Sequence, residues 1–288
     1  MQYNQIDSGE GYRITKESKS NFYYSFLSLP AEKRKALYSI YALCRCLDDA
    51  ADNSDSRLEA SESLLRWTAE IDNLYSGIPS HAVTVELKPY IDKYSIPQKY
   101  FLELIRGVEM DLKINRYSTF DELHKYCYRV ASVVGLICAE VFGYKNAETL
   151  GYAVDLGIAL QLTNILRDIK ADAERGRIYL PTEDLRKFNY TESELISSQY
   201  NKAFVDLMKF ETQRAWSYYR RAEKTLPRED RKAMVAGEIM RAIYSRILGK
   251  IEASNYNVYS SPPQLSKLQK IYIAFSTWIN IRLSLTAS

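Results

Sequence analysis

The chain has 288 residues, of which 46% are hydrophobic and 26% are charged, the proportions of an ordinary globular protein. A formal charge of +3 and the lack of any Lys/Arg-rich block argue against a nucleic-acid-binding protein. Four cysteines and two histidines form no C-x-x-C or H-E-x-x-H spacing, which argues against a zinc site and for reduced cytoplasmic thiols.

Helical periodicity runs through almost the whole chain, and strand-like alternation is hard to find. Turn signals separate helix-length segments at residues 30, 53–56, 76–80, 95–97, 143–144, 176–181, 226–230 and 260–263. Thr119 with Glu122, and Thr191 with Glu194, match the capping-box pattern of a helix start. No Ser-, Gly- or Pro-rich linker divides the chain. We therefore predict a single all-α domain over residues 1–288, with residues 1–12 as a flexible tail.

The first helix with unusual chemistry contains the stretch CRCLDDAADNS, residues 44–54. Asp48 and Asp52 stand four residues apart, so on a helix they share a face with Tyr41 and Arg45. Like charges at this spacing destabilise an isolated helix by about 0.2–0.5 kcal/mol, so a cation outside the helix should compensate. The other faces are apolar or small, which predicts that this stripe faces an interior cleft. A solvated face closed by Arg45 ion pairs is the alternative.

The longest apolar run, residues 130–142, already contains Glu140 and is too short for a spanning helix, which needs about 20 residues. The chain also opens on a polar stretch without the pattern of a signal peptide. We therefore expect a cytoplasmic protein, either free or peripheral on the cytoplasmic face of the membrane.

A second acidic helix places Gln161, Asn164, Asp168 and Asp172 at steps of three and four. Carboxylate and carboxamide oxygens suit Mg²⁺ better than zinc, and Mg²⁺ usually joins protein carboxylates to substrate phosphates. The sequence has no GxxxxGK[ST] phosphate loop. Phosphate would therefore bind through metal and through cations near the two motifs, which are Arg45, Arg167, Lys170, Arg175 and Arg177.

Two acidic helices beside an apolar, tyrosine-rich cavity predict a substrate with a diphosphate head and a hydrocarbon tail. Tyrosine contributes 24 residues, and aromatic residues make up 12% of the chain. Loss of diphosphate from such a molecule leaves an allylic carbocation. Aromatic faces stabilise a cation by about 0.5–2 kcal/mol each, and a dry cavity protects it from water.

The last helix, within LSKLQKIYIAFSTWINIRL, is amphipathic. Leu268, Tyr272, Phe275, Ile279 and Arg282 recur along it at steps of three and four. We expect this helix to pack against the core, with contact to a membrane surface as the alternative.

Four segments together resemble the squalene/phytoene synthase family over about residues 12–285. They read SKSNFYYSFLSLPAEKRKALYSIYALCRCLDDAAD, GVEMDL, RYSTFDELHKYCYRVASVVGL and LGIALQLTNILRDIKADAERGRIYLP. Within the family, GVEMDL, YCYRVASVVGL and GRIYLP are most similar to the presqualene diphosphate synthases of bacterial hopanoid pathways.

The resemblance implies the isoprenoid synthase fold, with helices around a central cavity. It also implies a Mg²⁺-dependent transferase that condenses two farnesyl diphosphates head to head (1'-1) to presqualene diphosphate and releases diphosphate. The alternatives are a phytoene synthase that uses two geranylgeranyl diphosphates, and a squalene or dehydrosqualene synthase. NADPH is not expected if the reaction stops at presqualene diphosphate. A non-enzymatic assembly factor on the same fold would be free to lose its aspartates, and this chain keeps all four.

The resemblance also assigns roles to individual residues. Two or three Mg²⁺ ions, with the diphosphate, would be held by Asp48, Asp52, Asn164, Asp168 and Asp172. Diphosphate contacts fall to Arg45, Arg167 and Arg177, with Tyr41 and Gln161 nearby. The head-group end would be lined by Ser18, Ser20 and Phe22, and the tail pocket by Val130, Val134, Leu160 and Tyr244. Ala171 replaces an acidic residue that many relatives carry within the second motif.

Tyr126 matches a tyrosine proposed to assist proton loss during cyclopropane closure. A packed core tyrosine is the alternative for this residue. The predicted catalytic set consists of Tyr126, Arg45 and the four motif aspartates, Asp48, Asp52, Asp168 and Asp172.

Overall fold

The computed structural model describes residues 9–17, 21–52, 54 and 56–284, and the regular elements within these ranges are all helices. The prediction of an all-α fold is therefore confirmed. The α-helices are α1 Glu10–Glu17, α2 Asn21–Phe26, α3 Ala31–Asp52, α4 Arg57–Ser76, α5 Ala82–Tyr94, α6 Gln98–Lys113, α7 Phe120–Cys127, α8 Val133–Phe142, α9 Glu148–Glu174, α10 Thr182–Lys187, α11 Glu192–Ile196, α12 Lys202–Thr225, α13 Val235–Ala253 and α14 Lys267–Ser284. A π-helix, Tyr128–Ser132, joins α7 to α8, and a 3₁₀ turn, Arg228–Asp230, precedes α13.

Two sequence predictions concern the start of the chain. The flexible tail was placed at residues 1–12, but α1 begins at Glu10, so the prediction is wrong for residues 10–12. An eight-residue helix forms there because α1 packs against α3 and α5. Residues 1–8 lie outside the described residues, as do Ser18 and Ser20, for which a substrate contact was predicted.

The helix ends follow the local signals in the sequence. Thr191 and Glu194 form a complete capping box at the start of α11. Thr119 caps α7 by accepting from the Glu122 N–H, while the Glu122 carboxylate accepts from the N–H of Ser118 instead of Thr119. Both predicted helix starts are therefore confirmed, although the Glu122 carboxylate at the start of α7 bonds one residue before the position that a capping box requires.

Helix α9 is the central helix of the fold, and it packs against α8, α12, α13 and the π-helix. By length and composition alone α9 could cross a membrane, but 67% of its apolar window is buried inside the fold. Gly157 of α9 meets the π-helix so closely that an added Cβ would lie 2.5 Å from the Cα of Ser132. On α6, Gly107 allows a similar approach, with an added Cβ 2.8 Å from the Cβ of Arg129. The two glycines therefore let α6 and α9 pack closely against the π-helix.

Helix α14 packs against the core through a face that the sequence did not indicate. It packs against α13 and α2, but Leu268, Tyr272 and Phe275 are 79%, 71% and 60% exposed. The prediction that this helix packs against the core is therefore confirmed, but three residues of the stripe by which the sequence marked it point outward. The helix carries a second apolar face, which includes Trp278 and Ile281, and that face packs against the core. Periodicity defines the apolar stripes of a helix but not which stripe is buried.

Candidate active site

A cavity of about 210 Å³ lies among α2, α3, the π-helix, α8, α9 and α13. All four residues predicted for the tail pocket line it, which are Val130, Val134, Leu160 and Tyr244. Five residues predicted for the metal, the diphosphate or the head-group end also line it, which are Phe22, Tyr41, Asp48, Gln161 and Asn164. The structure therefore brings nine of the predicted residues to one cavity.

The cavity runs lengthwise along α3 and α9. Asp48 and Asn164 lie toward the C-terminal ends of these two helices, whereas Leu37 and Tyr152 lie nearer their N-terminal ends. Tyr152 and Asn164 are separated by ~18 Å along α9, at 1.5 Å per residue. The polar end is the mouth, and the other end forms a floor of large side chains that the sequence did not indicate, namely Phe26, Leu37, Phe142 and Tyr152.

The two acidic helices meet at this mouth. The guanidinium of Arg177, just beyond the end of α9, donates to Oδ1 of Asp52 at the end of α3, at 3.0 Å. Asp48 and Asn164 line the same cavity from opposite helices. The two aspartate motifs therefore meet at this cavity, with Asp48 and Asn164 on its lining and Asp52, Asp168 and Asp172 off it. Asp48 and Asp52 are exposed, so the stripe that was predicted to face an interior cleft lies at the surface end of the site.

Arginines pair with several of the site carboxylates. Arg167 donates two hydrogen bonds to Asp168, at 2.8 and 2.5 Å. Arg45 pairs with Asp49 at 2.7 Å on the exposed side of α3, and it does not line the cavity. Arg45 therefore lies at the surface, but its charge still reaches the cavity, since it opposes the rise in the pKa of Asp48.

Burial and mutual repulsion perturb two of the motif carboxylates. Desolvation by the surrounding protein raises the pKa of the Asp48 carboxyl to about 7; Arg45 opposes this shift, and Asp52 and Asp111 reinforce it. The pKa of Asp172 is likewise raised to about 7 by burial and by Asp168. An ionised carboxylate that is destabilised in this way is stabilised most when a divalent cation binds beside it.

Asp111 of α6 is a site residue that the sequence reasoning missed. Its two carboxylate oxygens accept from the hydroxyls of Tyr126, at 3.0 Å, and Tyr179, at 2.8 Å. Burial raises the pKa of Asp111, the tyrosines and Arg177 lower it, and Asp52 raises it further. The sequence did contain an indication, since Asp111 in GVEMDL interrupts an apolar helix face. Asp111 has no second carboxylate four residues away, so it did not match the pattern of the two aspartate motifs.

Tyr126 lies in this cluster and not on the cavity lining. It is 4% exposed, and its ring stacks on Tyr179 with centroids 5.1 Å apart. Burial and the nearby Asp111 raise its pKa well above the ordinary value for tyrosine. The phenolate that could accept a proton is therefore disfavoured, and the environment of Tyr126 matches the alternative of a packed tyrosine.

The residues at the mouth fit a shared magnesium–diphosphate site. The Oδ1 atom of Asn164 is buried with no hydrogen-bond partner among the described residues, as expected of an oxygen that ligates a metal. No group of three or more His, Cys, Asp or Glu in the described part of the chain is placed to hold a metal by itself. Mg²⁺ typically takes one or two carboxylates and completes its shell with water and substrate phosphates.

Comparisons with known proteins agree with this geometry. Residues 15–269 match the family model described as squalene/phytoene synthase. A 15-cis-phytoene synthase of Synechocystis sp. is 35% identical over 93% of this chain and 83% of its own length. A phytoene synthase of Arthrospira platensis is 37% identical over 86% of this chain and 84% of its own length.

Two solved structures share the fold. A dehydrosqualene synthase superposes with a TM-score of 0.81 at 26% identity, over 96% of this chain and 95% of its own. A squalene synthase from Alicyclobacillus acidocaldarius gives 0.79 at 26% identity, over 86% and 93% of the two chains.

Proposed function

Because the chain belongs to the squalene/phytoene synthase family and is a head-to-head prenyltransferase, we propose that it condenses two farnesyl diphosphates to presqualene diphosphate. The single observation that carries the proposal is the meeting of two acidic helices at the polar end of an apolar cavity. The choice of presqualene diphosphate follows from GVEMDL, YCYRVASVVGL and GRIYLP, the segments most similar to that branch of the family.

Five residues would hold the magnesium–diphosphate head, namely Asp48, Asp52, Asn164, Asp168 and Asp172. Mg²⁺ bound there supplies neutralisation of the charge that develops on the departing diphosphate. Arg167 and Arg177 pair with aspartates of the two motifs. Both guanidiniums would bind diphosphate oxygens in bidentate fashion, beside a cation held by those carboxylates.

The aromatic side chains at the mouth stabilise the intermediate. Cleavage of the C1–O bond of one farnesyl diphosphate leaves an allylic cation beside Phe22 and Tyr41, which line the cavity. The C2–C3 double bond of the second substrate attacks C1 of this cation. Loss of one proton then closes the cyclopropane ring. Since Tyr126 lies off the lining, we assign the released diphosphate as the proton acceptor.

The floor of the cavity supports the shorter substrate. Phe26 and Phe142 are almost fully buried, and they close the end of the cavity together with Leu37 and Tyr152. The longer geranylgeranyl chain would have to displace these side chains, which are packed among their neighbours. A phytoene synthase is nevertheless the second candidate, because the relatives at 35% and 37% identity carry that name.

Product identification tests the proposal. The purified protein is incubated with Mg²⁺ and either farnesyl or geranylgeranyl diphosphate, with and without NADPH, and the products are identified by mass spectrometry. We expect presqualene diphosphate from farnesyl diphosphate whether or not NADPH is present. Phytoene from geranylgeranyl diphosphate would favour the second candidate, and recovery of unreacted substrates alone would contradict both.

A further inference from the structure

Helix α14 presents an exposed apolar surface. Leu268, Ile271, Tyr272 and Phe275 recur at steps of three and four, and each is more than half exposed. They form one face of the helix, opposite the face that packs against the core. A single exposed apolar residue is ordinary, but several on one helix face mark an interaction surface. We call these four residues the α14 face.

The charges on α14, and most of those in a cleft beside its C-terminal end, are positive. Helix α14 contains no acidic residue, and it carries Lys267 and Arg282 near its two ends. Arg282 also lines a cleft of about 360 Å³ whose described lining includes Lys33, Lys145 and Lys232 and one carboxylate, Glu229. An apolar helix face flanked by cations is the pattern of a helix that lies in the interface of an anionic membrane.

The α14 face is also close to the candidate active site. Helix α14 packs against α2, and the ammonium of its Lys270 lies 5.6 Å from the centre of the Tyr24 ring. On α2, Phe22 and Phe26 line the cavity that would hold the prenyl chain. A surface that binds lipid beside α2 would therefore bring this cavity close to the membrane, where oily substrates and products partition.

We propose that α14 docks this protein onto an anionic lipid surface, with the α14 face in the apolar layer and the flanking cations at the lipid phosphates. A second copy of the chain fits less well. Two α14 helices packed antiparallel would bring Lys267 of one copy toward Arg282 of the other, without an acidic residue on either helix to pair with them. The link to oily substrates rests on the proposed function, whereas the docking itself rests on the chemistry of this surface. With docking, we also propose a location on the cytoplasmic face of the membrane.

Vesicle sedimentation tests the docking without any substrate. The full chain is mixed with vesicles of phosphatidylcholine, or of phosphatidylcholine with about one third phosphatidylglycerol, and the bound fraction is measured at low and high salt. We expect binding to the anionic vesicles that weakens with salt. The double variant Tyr272→Ser with Phe275→Ser should lower the partition coefficient by at least about tenfold, because two aromatic side chains no longer enter the apolar layer.

A matched control uses two exposed leucines of α4. Leu58 and Leu65 are 71% and 63% exposed on another surface, so Leu58→Ser with Leu65→Ser removes similar apolar area and should bind vesicles like the wild type. Circular dichroism and turnover of detergent-dispersed farnesyl diphosphate verify that each variant is folded and report on the proposed function separately.

Three results would overturn the proposal. The wild type could stay in the supernatant with anionic vesicles, or the α14 variant could bind as well as the wild type. The third is a wild-type dimer in light scattering that becomes monomeric in the α14 variant while vesicle binding is weak in both. That result would assign the α14 face to a second copy.

Discussion

Replacement of Asn164 by leucine should make this protein more stable and less active. The Oδ1 atom of Asn164 is buried without a hydrogen-bond partner among the described residues. A buried polar group left unsatisfied costs about 1–3 kcal/mol, and leucine is also a better helix former than asparagine. Leucine has nearly the same shape, so Asn164→Leu should raise the free energy of unfolding by about 1–3 kcal/mol in the absence of Mg²⁺. The same change removes an oxygen that we assign to the metal, so kcat/KM should fall by about a hundredfold.

Two assays and one control separate these effects. Chemical denaturation in EDTA measures the free energy of unfolding, and turnover of farnesyl diphosphate at several Mg²⁺ concentrations measures the loss of activity. Asn73 of α4 is a half-buried asparagine away from the cavity. Asn73→Leu should therefore gain only the helix propensity and keep full activity. The reasoning is refuted if Asn164→Leu lowers stability, or if it keeps wild-type activity at low Mg²⁺.

Three further predictions test other parts of the structure. Burial would raise the pKa of Glu70, but hydrogen bonds from His81, Ser80 and Thr84 lower it to about 2, so its ionised form stabilises the fold. That contribution, about 3 kcal/mol, should be present above pH 5 and lost as the pH falls toward 2. In urea titrations near pH 7, Glu70→Gln should remove it, and equal stability of the two proteins at this pH would contradict the prediction. Phe26→Ala opens the cavity floor and should increase the turnover of geranylgeranyl relative to farnesyl diphosphate. Phe101 is buried away from the cavity, so Phe101→Ala should lose similar stability and leave the ratio of the two turnovers unchanged. Gly157→Ala forces a Cβ to within 2.5 Å of the Cα of Ser132, so it should lower the thermal midpoint and the activity together; a wild-type melting curve would show that α9 can shift.

The sequence predicted the helical architecture well because helix signals are local. Periodicity, turn residues and capping boxes act within a few positions, and the breaks at residues 76–80 and 95–97 appear as the ends of α4 and α5. The two aspartate motifs were recognisable for the same reason, since a spacing of four residues defines a helix face. The resemblance to the family then placed both motifs at one cavity.

The features that the sequence missed depend on tertiary contacts. Asp111 joins the site only because α6 packs beside α3 and aims a single carboxylate at Tyr126 and Tyr179. For Arg45, helix spacing allowed an ion pair with either Asp48 or Asp49, and only the side-chain contact in the structure selects Asp49. For α14, both apolar faces satisfy the helical period, so only the packing against α13 and α2 decides which of them is exposed.

Calorimetric titration with a non-reactive farnesyl thiodiphosphate, with and without Mg²⁺, most directly tests whether two acidic helices hold one diphosphate through magnesium. The wild type should bind the analogue tightly only when Mg²⁺ is present. Asp48→Asn on α3 and Asp172→Asn on α9 should each abolish the Mg²⁺-dependent part of the affinity, and the double variant should bind no more weakly than either single variant. If one of the single variants retains the full Mg²⁺-dependent affinity, the two helices do not share a ligand, and the proposed site is wrong.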